Sequence, residues 1–165
     1  MKIKNLSKNF FVNSSLILLI FLLDRVSKIY VINLDKKFLE SEIFSSKFLN
    51  IALIWNEGIA FGLFSFSDKD IYHSFTILII LVITGVFYIF IKSKGFEKYA
   101  LIMILGGALG NVFDRIFYKA VPDFIDFHIN NFHWFIFNLA DIFITLGVIF
   151  MILLEFAYSD KKNKN

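Results

Sequence analysis

The sequence contains no cysteine and only one proline among its 165 residues. Without cysteine the chain forms no disulfide, supplies no thiol nucleophile and binds no metal through sulfur. It also has no cysteine of its own that a lipid could modify. These absences exclude disulfide-stabilised domains, cysteine enzymes and cysteine-ligated metal sites.

Signatures of nucleotide and metal chemistry are missing as well. There is no phosphate-binding loop, no dinucleotide fingerprint and no patch of basic residues interleaved with aromatics. His73 stands alone, while His128 and His133 are five residues apart, which does not fit an i, i+4 metal pair on a helix. The one Ser-x-x-Lys sequence, from Ser159 to Lys162, lies in the polar tail without the partner motifs of serine enzymes. We therefore expect no metal, no cofactor and no nucleic-acid partner.

Apolar residues dominate what is present. They make up 58% of the chain, 23 of them are phenylalanine, and the mean hydropathy is +0.70. Soluble domains are roughly half apolar, so this chain lies well to the hydrophobic side. The composition predicts a small integral membrane protein that forms one domain over residues 1–165.

Four apolar segments approach the ~20 residues that a helix needs to cross a bilayer. They lie at about residues 10–34, 71–91, 99–117 and 135–158. Helices are expected because no water satisfies backbone groups inside the hydrocarbon. The first segment follows basic residues, as a secretory signal does, but no small-residue cleavage site comes after it. We therefore interpret all four as transmembrane helices.

Three lysine clusters, at positions 2–8, 92–98 and 161–164, indicate the orientation. The positive-inside tendency places both termini and the short central link in the cytoplasm. The connections at 35–70 and 118–134 then lie outside. The first of these also carries four lysines, but they are spread over a longer stretch and weigh less than the dense clusters.

The first outer connection has the composition of a strand. Residues 48–55 are apolar and partly β-branched. Trp55, Trp134 and Tyr72 suit a membrane–water boundary, where aromatic side chains collect. We expect a small sheet or amphipathic element lying at that boundary.

Asp123 and Asp141 are the most informative residues, because each sits at the mouth of a strongly apolar segment. A carboxylate at membrane depth costs several kcal/mol unless it is paired or neutral, so it indicates a functional site. Two of them suggest a shared proton and acid–base chemistry on an amide. If residues 121–128 are extended, Asp123 and Asp126 point to opposite faces. We interpret Asp126 as a solvated surface carboxylate.

Polar residues also recur on single faces of the last two predicted helices. Gly107, Asn111 and Arg115 follow at i, i+4 and i+8, with Asp114 beside them. A salt bridge and cap at the helix end is the alternative explanation. Polar residues of the fourth helix also share one face, namely Asn138, Asp141 and Thr145. Either Asn138 or Asp141 can cap that helix, which is compatible with catalysis.

The first predicted helix carries Asp24 and Lys28, an i, i+4 pair of opposite charge that is more often structural than functional. Arg25 is expected to lie aside and reach towards lipid headgroups. Gly106 and Gly110, four apart, leave one face of the third helix bare for a neighbouring helix.

Together these segments resemble the lipoprotein signal peptidase family, the signal peptidase II group of bacterial membrane aspartyl proteases. The resemblance extends over about residues 10 to 157, and the order and spacing of its motifs agree. Five blocks carry it: Asp24-Arg25-Val26-Ser27-Lys28, Trp55-Asn56-Glu57-Gly58-Ile59-Ala60-Phe61-Gly62, Gly106-Gly107-Ala108-Leu109-Gly110-Asn111-Val112-Phe113-Asp114-Arg115, Val121-Pro122-Asp123-Phe124-Ile125-Asp126-Phe127 and Phe137-Asn138-Leu139-Ala140-Asp141.

The resemblance implies an all-α membrane protein with four transmembrane helices and a small β-rich periplasmic cradle in the first outer loop. A second short periplasmic element is implied near residues 121–134. The implied location is the bacterial cytoplasmic membrane, with both termini cytoplasmic and the active site near the outer leaflet. No oligomer is implied.

The resemblance also implies an activity, the hydrolysis of the bond before the diacylglyceryl-cysteine of a lipid-modified prolipoprotein. It makes Asp123 and Asp141 the catalytic pair, with neither assigned as acid or base. The residues implied to line the site, shape its pocket or position substrate are Asp24, Lys28, Asn56, Gly58, Gly107, Asn111, Asp114, Arg115, Asn138 and Ala140. A small four-helix carrier or channel with intramembrane carboxylates is the alternative prediction.

Overall fold

The computed structural model describes residues 2–38, 43–58, 69–130 and 132–163. The fold is mostly helical, with a small antiparallel sheet. Its helices are α1 (Lys2–Phe38), α2 (Lys69–Lys92), α3 (Phe96–Phe117) and α4 (Leu139–Asn163). Its strands are β1 (Phe44–Ser45), β2 (Leu49–Asn56), β3 (Val121–Ile129) and β4 (Phe132–Phe137).

Three helices of the described chain are long and apolar enough to cross a membrane. These spans are Tyr72–Lys92, Phe96–Phe117 and Leu139–Ser159. The span in α3 is 61% buried, against 11% and 17% for those in α2 and α4, so α3 lies at the centre of the bundle. It packs against the other three helices. The buried core between α1, α2 and α3 consists of Ile20, Phe90, Leu101, Ile102 and Leu105.

The outer faces of the helices expose large apolar side chains, including Leu81 on α2 and Leu153 and Phe156 on α4. An exposed apolar surface of this extent is unfavourable in water, but acyl chains solvate it well. The packing therefore agrees with a multi-pass membrane protein.

The sheet has the order β1-β2-β3-β4, and all neighbouring strands are antiparallel. The sheet was predicted in the first outer connection alone, but that connection supplies only two of its four strands. β1 and β2 come from that connection, whereas β3 and β4 come from the connection between α3 and α4. The pairing of Ile54 with Asp123 and of Asn56 with Val121 joins the two connections. Residues 39–42 and 59–68 of the first connection lie outside the described residues.

One predicted helix boundary is wrong. The fourth span was expected to begin near residue 135, but β4 continues to Phe137 and α4 begins at Leu139. Apolar strand and apolar helix are hard to distinguish by hydropathy alone, so the two merged into one predicted segment. The boundary falls at Asn138, whose side chain caps the new helix.

Candidate active site

Asn138 connects the two aspartates that the sequence singles out. Asp123 lies on β3, and Asp141 lies in the first turn of α4. The Asn138 side-chain amide donates to Asp123 Oδ1 at 2.6 Å, and its backbone N–H donates to Asp141 Oδ2 at 3.1 Å. Both carboxyl groups therefore accept a hydrogen bond from the same residue.

The start of α4 also holds Asn138 and Asp141 in reciprocal hydrogen bonds. The backbone N–H of Asp141 donates to Asn138 Oδ1 at 3.2 Å, while the Asp141 carboxylate accepts from the Asn138 backbone N–H. This is a capping box, which satisfies two N–H groups that a helix start leaves unpaired. Capping was predicted for either Asn138 or Asp141, and both residues take part in it. The cap fixes the direction of the Asp141 carboxyl.

Neutral amides supply the remaining hydrogen bonds to the pair. Asn56 Nδ2 donates to Asp123 Oδ2 at 2.8 Å, and Asn111 Nδ2 donates to Asp141 Oδ1 at 2.8 Å. All four carboxyl oxygens thus accept one N–H. Among the described residues, no lysine, arginine or histidine forms an ion pair with either carboxyl group. Amide donors hold the two groups in place without forcing both to ionise.

Burial and a neighbouring negative charge make the Asp123 carboxyl a weaker acid than a solvated aspartate. Its side chain is only 3% exposed. Burial, followed by the negative charge of Asp141, raises the pKa of Asp123 to about 6, although hydrogen bonds from Asn56 and Asn138 oppose the shift. A carboxyl group with this pKa holds a proton in mildly acidic solution and releases it near neutrality.

A buried cluster of two acidic and two basic side chains is hydrogen-bonded to residues that neighbour the pair. Lys28 Nζ is 3.0 Å from Asp24 Oδ1 and 2.7 Å from Asp114 Oδ2. Arg25 contacts the same two carboxylates, at 2.7 Å to Asp24 Oδ2 and in a direct hydrogen bond to Asp114 Oδ1. The expectation that Arg25 reaches towards headgroups is wrong, because two buried acids hold it inside the bundle. The predicted Asp24–Lys28 pair is present as half of this four-residue cluster.

The charge cluster sets the orientation of an amide at the site. Lys28 Nζ donates to Asn111 Oδ1 at 2.8 Å. The Asn111 oxygen therefore faces the lysine, and its NH₂ group is left to face Asp141. Asp24 Oδ1 accepts the backbone N–H of Ala140 at 3.1 Å, which ties the start of α4 to α1. Asn111, in the polar stripe of α3, thus links the cluster to Asp141.

A second amide is oriented from the sheet side. Asn56 Oδ1 accepts the backbone N–H of Gly58 at 2.9 Å, so that its NH₂ group faces Asp123. Arg115 Nη2 donates to the Gly58 carbonyl at 3.2 Å. Tyr72, expected at the membrane boundary, is buried, and its hydroxyl donates to the Arg115 carbonyl at 3.4 Å. Residues 59–62 of the same sequence motif lie outside the described residues.

Two glycines of α3 permit these contacts. A Cβ at Gly107 would lie 2.5 Å from the Ala140 carbonyl oxygen, and one at Gly110 would lie 2.4 Å from Asp24 Oδ2. Both distances are too short for any other residue unless the Ala140 backbone or the Asp24 side chain shifts. The predicted bare face of α3 does meet α1, through Gly106 and Gly110, whereas Gly107 meets α4.

Two apolar cavities meet at Asp141. One, of about 580 Å³, lies between α2, α3 and α4 and reaches Asn111 and Arg115. The other, of about 380 Å³, lies between β4 and α4 and includes Trp134 and Phe135. Thr145, predicted on the face of Asp141, lines both. The site thus combines a polar centre with apolar spaces on two sides.

Asp126 does not match its prediction. It was expected to be a solvated surface carboxylate, but it is only 6% exposed. It contacts His133 Nδ1 through Oδ2 at 2.7 Å. That Asp126 and Asp123 point to opposite faces of the strand stays a prediction from their spacing. The sequence does not show this contact because His133 lies on the next strand, and it does not show the burial of Arg25 because its partner Asp114 is 89 positions away.

Comparison with known proteins gives matches over most of the chain. A family model described as signal peptidase (SPase) II matches residues 16–157. The chain is 49% identical over 155 residues to a lipoprotein signal peptidase of Pelagibacter ubique (strain HTCC1062), covering 94% of this chain and 93% of that protein. It is 42% identical over 147 residues to one of Anaplasma marginale (strain Florida), covering 88% and 84%.

Solved structures share the fold. A bacterial membrane enzyme determined by the in meso method at 2.3 Å resolution superposes with a TM-score of 0.75 at 33% identity, over 93% of this chain and 92% of that one. A second, at 1.9 Å resolution, gives a TM-score of 0.70 at 34% identity, over 87% and 91%.

Proposed function

The chain belongs to the signal peptidase II family, and from this we propose that it is an aspartic endopeptidase of prolipoproteins. The bond cleaved is the one before the diacylglyceryl-cysteine, so the signal peptide leaves and the lipidated cysteine becomes the new amino terminus. One observation carries the proposal of an aspartic mechanism. Asp123 and Asp141 are buried, bridged by Asn138 and hydrogen-bonded only by amides among the described residues.

The chemistry follows from one proton shared by two carboxyl groups. A peptide bond is a poor electrophile and water a poor nucleophile. The ionised aspartate removes a proton from a water held between the pair. The protonated aspartate donates a hydrogen bond to the scissile carbonyl and stabilises the charge that develops on its oxygen. The proton belongs to the pair, so acid and base are not assigned to individual residues.

The apolar cavities suit the hydrophobic parts of such a substrate. Asp141 lines both, so a chain bound in either would contact one of the two proposed catalytic carboxyl groups. We propose that they hold the core of the signal peptide and the acyl chains. Polar residues around the carboxyl groups would position the scissile amide, above all Asn56, Asn111 and Arg115.

The membrane arrangement completes the proposal. Residues 1–165 form one integral membrane domain, in which α1 is the fourth span alongside the three apolar ones. The lysine clusters favour cytoplasmic termini, so the sheet would lie on the outer side of the bacterial cytoplasmic membrane. The active site would then lie near the outer leaflet, where membrane lipid surrounds the apolar faces.

Incubation of the purified protein with a lipid-modified prolipoprotein tests the activity. The expected result is a mass loss equal to the signal peptide, with a new amino terminus at the lipidated cysteine. The same precursor without its diacylglyceryl group is the matched control and should remain uncleaved. Failure to cleave the lipidated precursor, or cleavage elsewhere in it, contradicts the proposal. A carrier or channel, the alternative from sequence, predicts no cleavage at all.

A further inference from the structure

The hairpin of β3 and β4 brings together three side chains that the proposed peptidase chemistry does not use. His128 on β3 and His133 on β4 are directly paired across the hairpin. Asp126 is two residues before His128, so both project from the same face of β3. The pairing register shifts between these two positions, but two steps along β3 face three along β4, so the extra residue lies on β4 and the alternation of β3 is kept. Asp126, His128 and His133, here called the hairpin cluster, thus share one face.

The spacing of the hairpin cluster fits metal ligation. One ligand atom from each residue can be chosen so that all three lie within 4.8 Å of one another. The rings of His128 and His133 stack with centroids 5.0 Å apart, and His133 Nδ1 is 2.7 Å from Asp126 Oδ2. Ligands of one tetrahedral zinc ion, at about 2.0–2.2 Å from the metal, are roughly 3–4 Å apart. Small movements of the side chains would bring the three atoms to that spacing.

Two buried polar atoms in the hairpin cluster lack a partner. Asp126 Oδ1 and His128 Nδ1 accept or donate no hydrogen bond among the described residues. The two residues are only 6% and 9% exposed. A buried polar atom without a partner costs free energy, and such atoms in a native fold call for an explanation. A cation at the cluster would satisfy the Asp126 carboxylate and use the histidine nitrogens.

We propose that Asp126, His128 and His133 bind one divalent transition-metal ion of the Zn²⁺ class. Two imidazoles and one carboxylate are a common ligand set for zinc, with water completing the tetrahedron. The side chain of His133 is 53% exposed, which gives an ion a path from solvent. Binding replaces the hydrogen bond between His133 and Asp126 with a bond from each to the metal. The ion would join β4 to β3 three residues beyond Asp123.

Metal titration of the full-length protein tests this site. The protein is prepared without a polyhistidine tag, treated with EDTA and freed of chelator, and then titrated with ZnCl₂ in a calorimeter. The expected result is one Zn²⁺ per chain. His133→Ala, which removes an exposed side chain, should weaken binding at least roughly tenfold. His73→Ala removes the remaining histidine, which lies on α2, and should leave binding unchanged.

Thermal melting gives a second readout that needs no activity. A ligand that binds only the folded state raises the melting temperature. Zn²⁺ should raise it for the wild type and for His73→Ala, but not for His133→Ala or Asp126→Asn. Co²⁺ bound in place of Zn²⁺ should give visible absorption bands that His133→Ala abolishes. No stoichiometric Zn²⁺ binding, or equal binding by wild type and His133→Ala, would overturn the proposal.

Discussion

Three asparagine side chains determine how the aspartates are presented. Each of Asn56, Asn111 and Asn138 has its oxygen satisfied by a defined donor and its NH₂ group aimed at a carboxyl. An asparagine can turn its amide either way, so the donor to its oxygen decides which end faces the acid. For Asn111 that donor is Lys28, which makes the charge cluster a positioning element for Asp141.

The proposed sharing of one proton by Asp123 and Asp141 predicts how cleavage depends on pH. Burial and the charge of Asp141 raise the pKa of Asp123 to about 6. Above that pH the free enzyme loses the shared proton, and no carboxyl can then donate to the scissile carbonyl. We expect kcat/KM, which reports on the free enzyme, to fall as the pH rises above about 6, approaching tenfold per unit.

Asn56→Ala tests the cause of that pH dependence. The Asn56 hydrogen bond favours the ionised form and so lowers the pKa of Asp123. Its removal should move the falling limb of the kcat/KM profile to higher pH. A purely structural defect would lower activity at every pH without moving the limb, and an unmoved limb would therefore contradict this account.

At the scale of elements, the contact of α3 with α4 depends on Gly107. A methyl group there would lie 2.5 Å from the Ala140 carbonyl oxygen. Gly107→Ala should push the start of α4 away from α3 and misalign Asp141, lowering the melting temperature and the rate of cleavage. Overpacking of this kind costs about 1–3 kcal/mol of stability.

Gly85→Ala is the matched control for that substitution. Nothing lies within 4 Å of a Cβ at Gly85, which is on α2. Alanine favours a helix over glycine, so this variant should be as stable as wild type or more so, with unchanged cleavage. If Gly107→Ala behaves like Gly85→Ala in melting and activity, close packing at Gly107 is not required.

Most helices and strands are predictable from the sequence, but the boundary between two adjacent elements and the pairing of distant strands are not. α2 and α3 are predictable because each contains an apolar run long enough to cross a bilayer as a helix. The short strand β4 merged with α4 because both are apolar and only the cap at Asn138 separates them. The sheet was assigned to one connection because pairing between β2 and β3 joins residues about 70 positions apart, which local patterns do not report.

At the scale of the whole molecule, the site is assembled from β2, β3, α1, α3 and α4. Asp123 and Asp141 stand out in the sequence because a carboxylate is energetically costly in apolar surroundings. The burial of Arg25 and Asp126 does not, since the burial of a charge depends on partners supplied by distant elements. The sequence therefore indicates which polar residues belong to the candidate site, and the structure shows which residues each of them contacts.

The proposed orientation predicts which surfaces are accessible from outside the cell. Because the chain has no cysteine, single cysteines give unambiguous labelling. Lys47→Cys lies between β1 and β2, and Lys94→Cys lies between α2 and α3; both positions are exposed. With the outer membrane opened and the inner membrane intact, a membrane-impermeant maleimide should label the first and not the second. The reverse pattern would contradict the proposed topology.

The most direct test of the shared-proton mechanism is cleavage of a lipid-modified prolipoprotein by Asp123→Asn and Asp141→Asn. Asparagine keeps the size of each side chain and the capping oxygen of position 141, so both variants should fold. Its NH₂ group replaces one oxygen that accepts an N–H, so each variant should melt at a somewhat lower temperature than the wild type. Glu155→Gln, an exposed carboxyl on α4, serves as the control and should cleave normally. We predict that each aspartate variant loses at least about a thousandfold in kcat. Turnover within tenfold of the wild type by either folded variant would contradict the account.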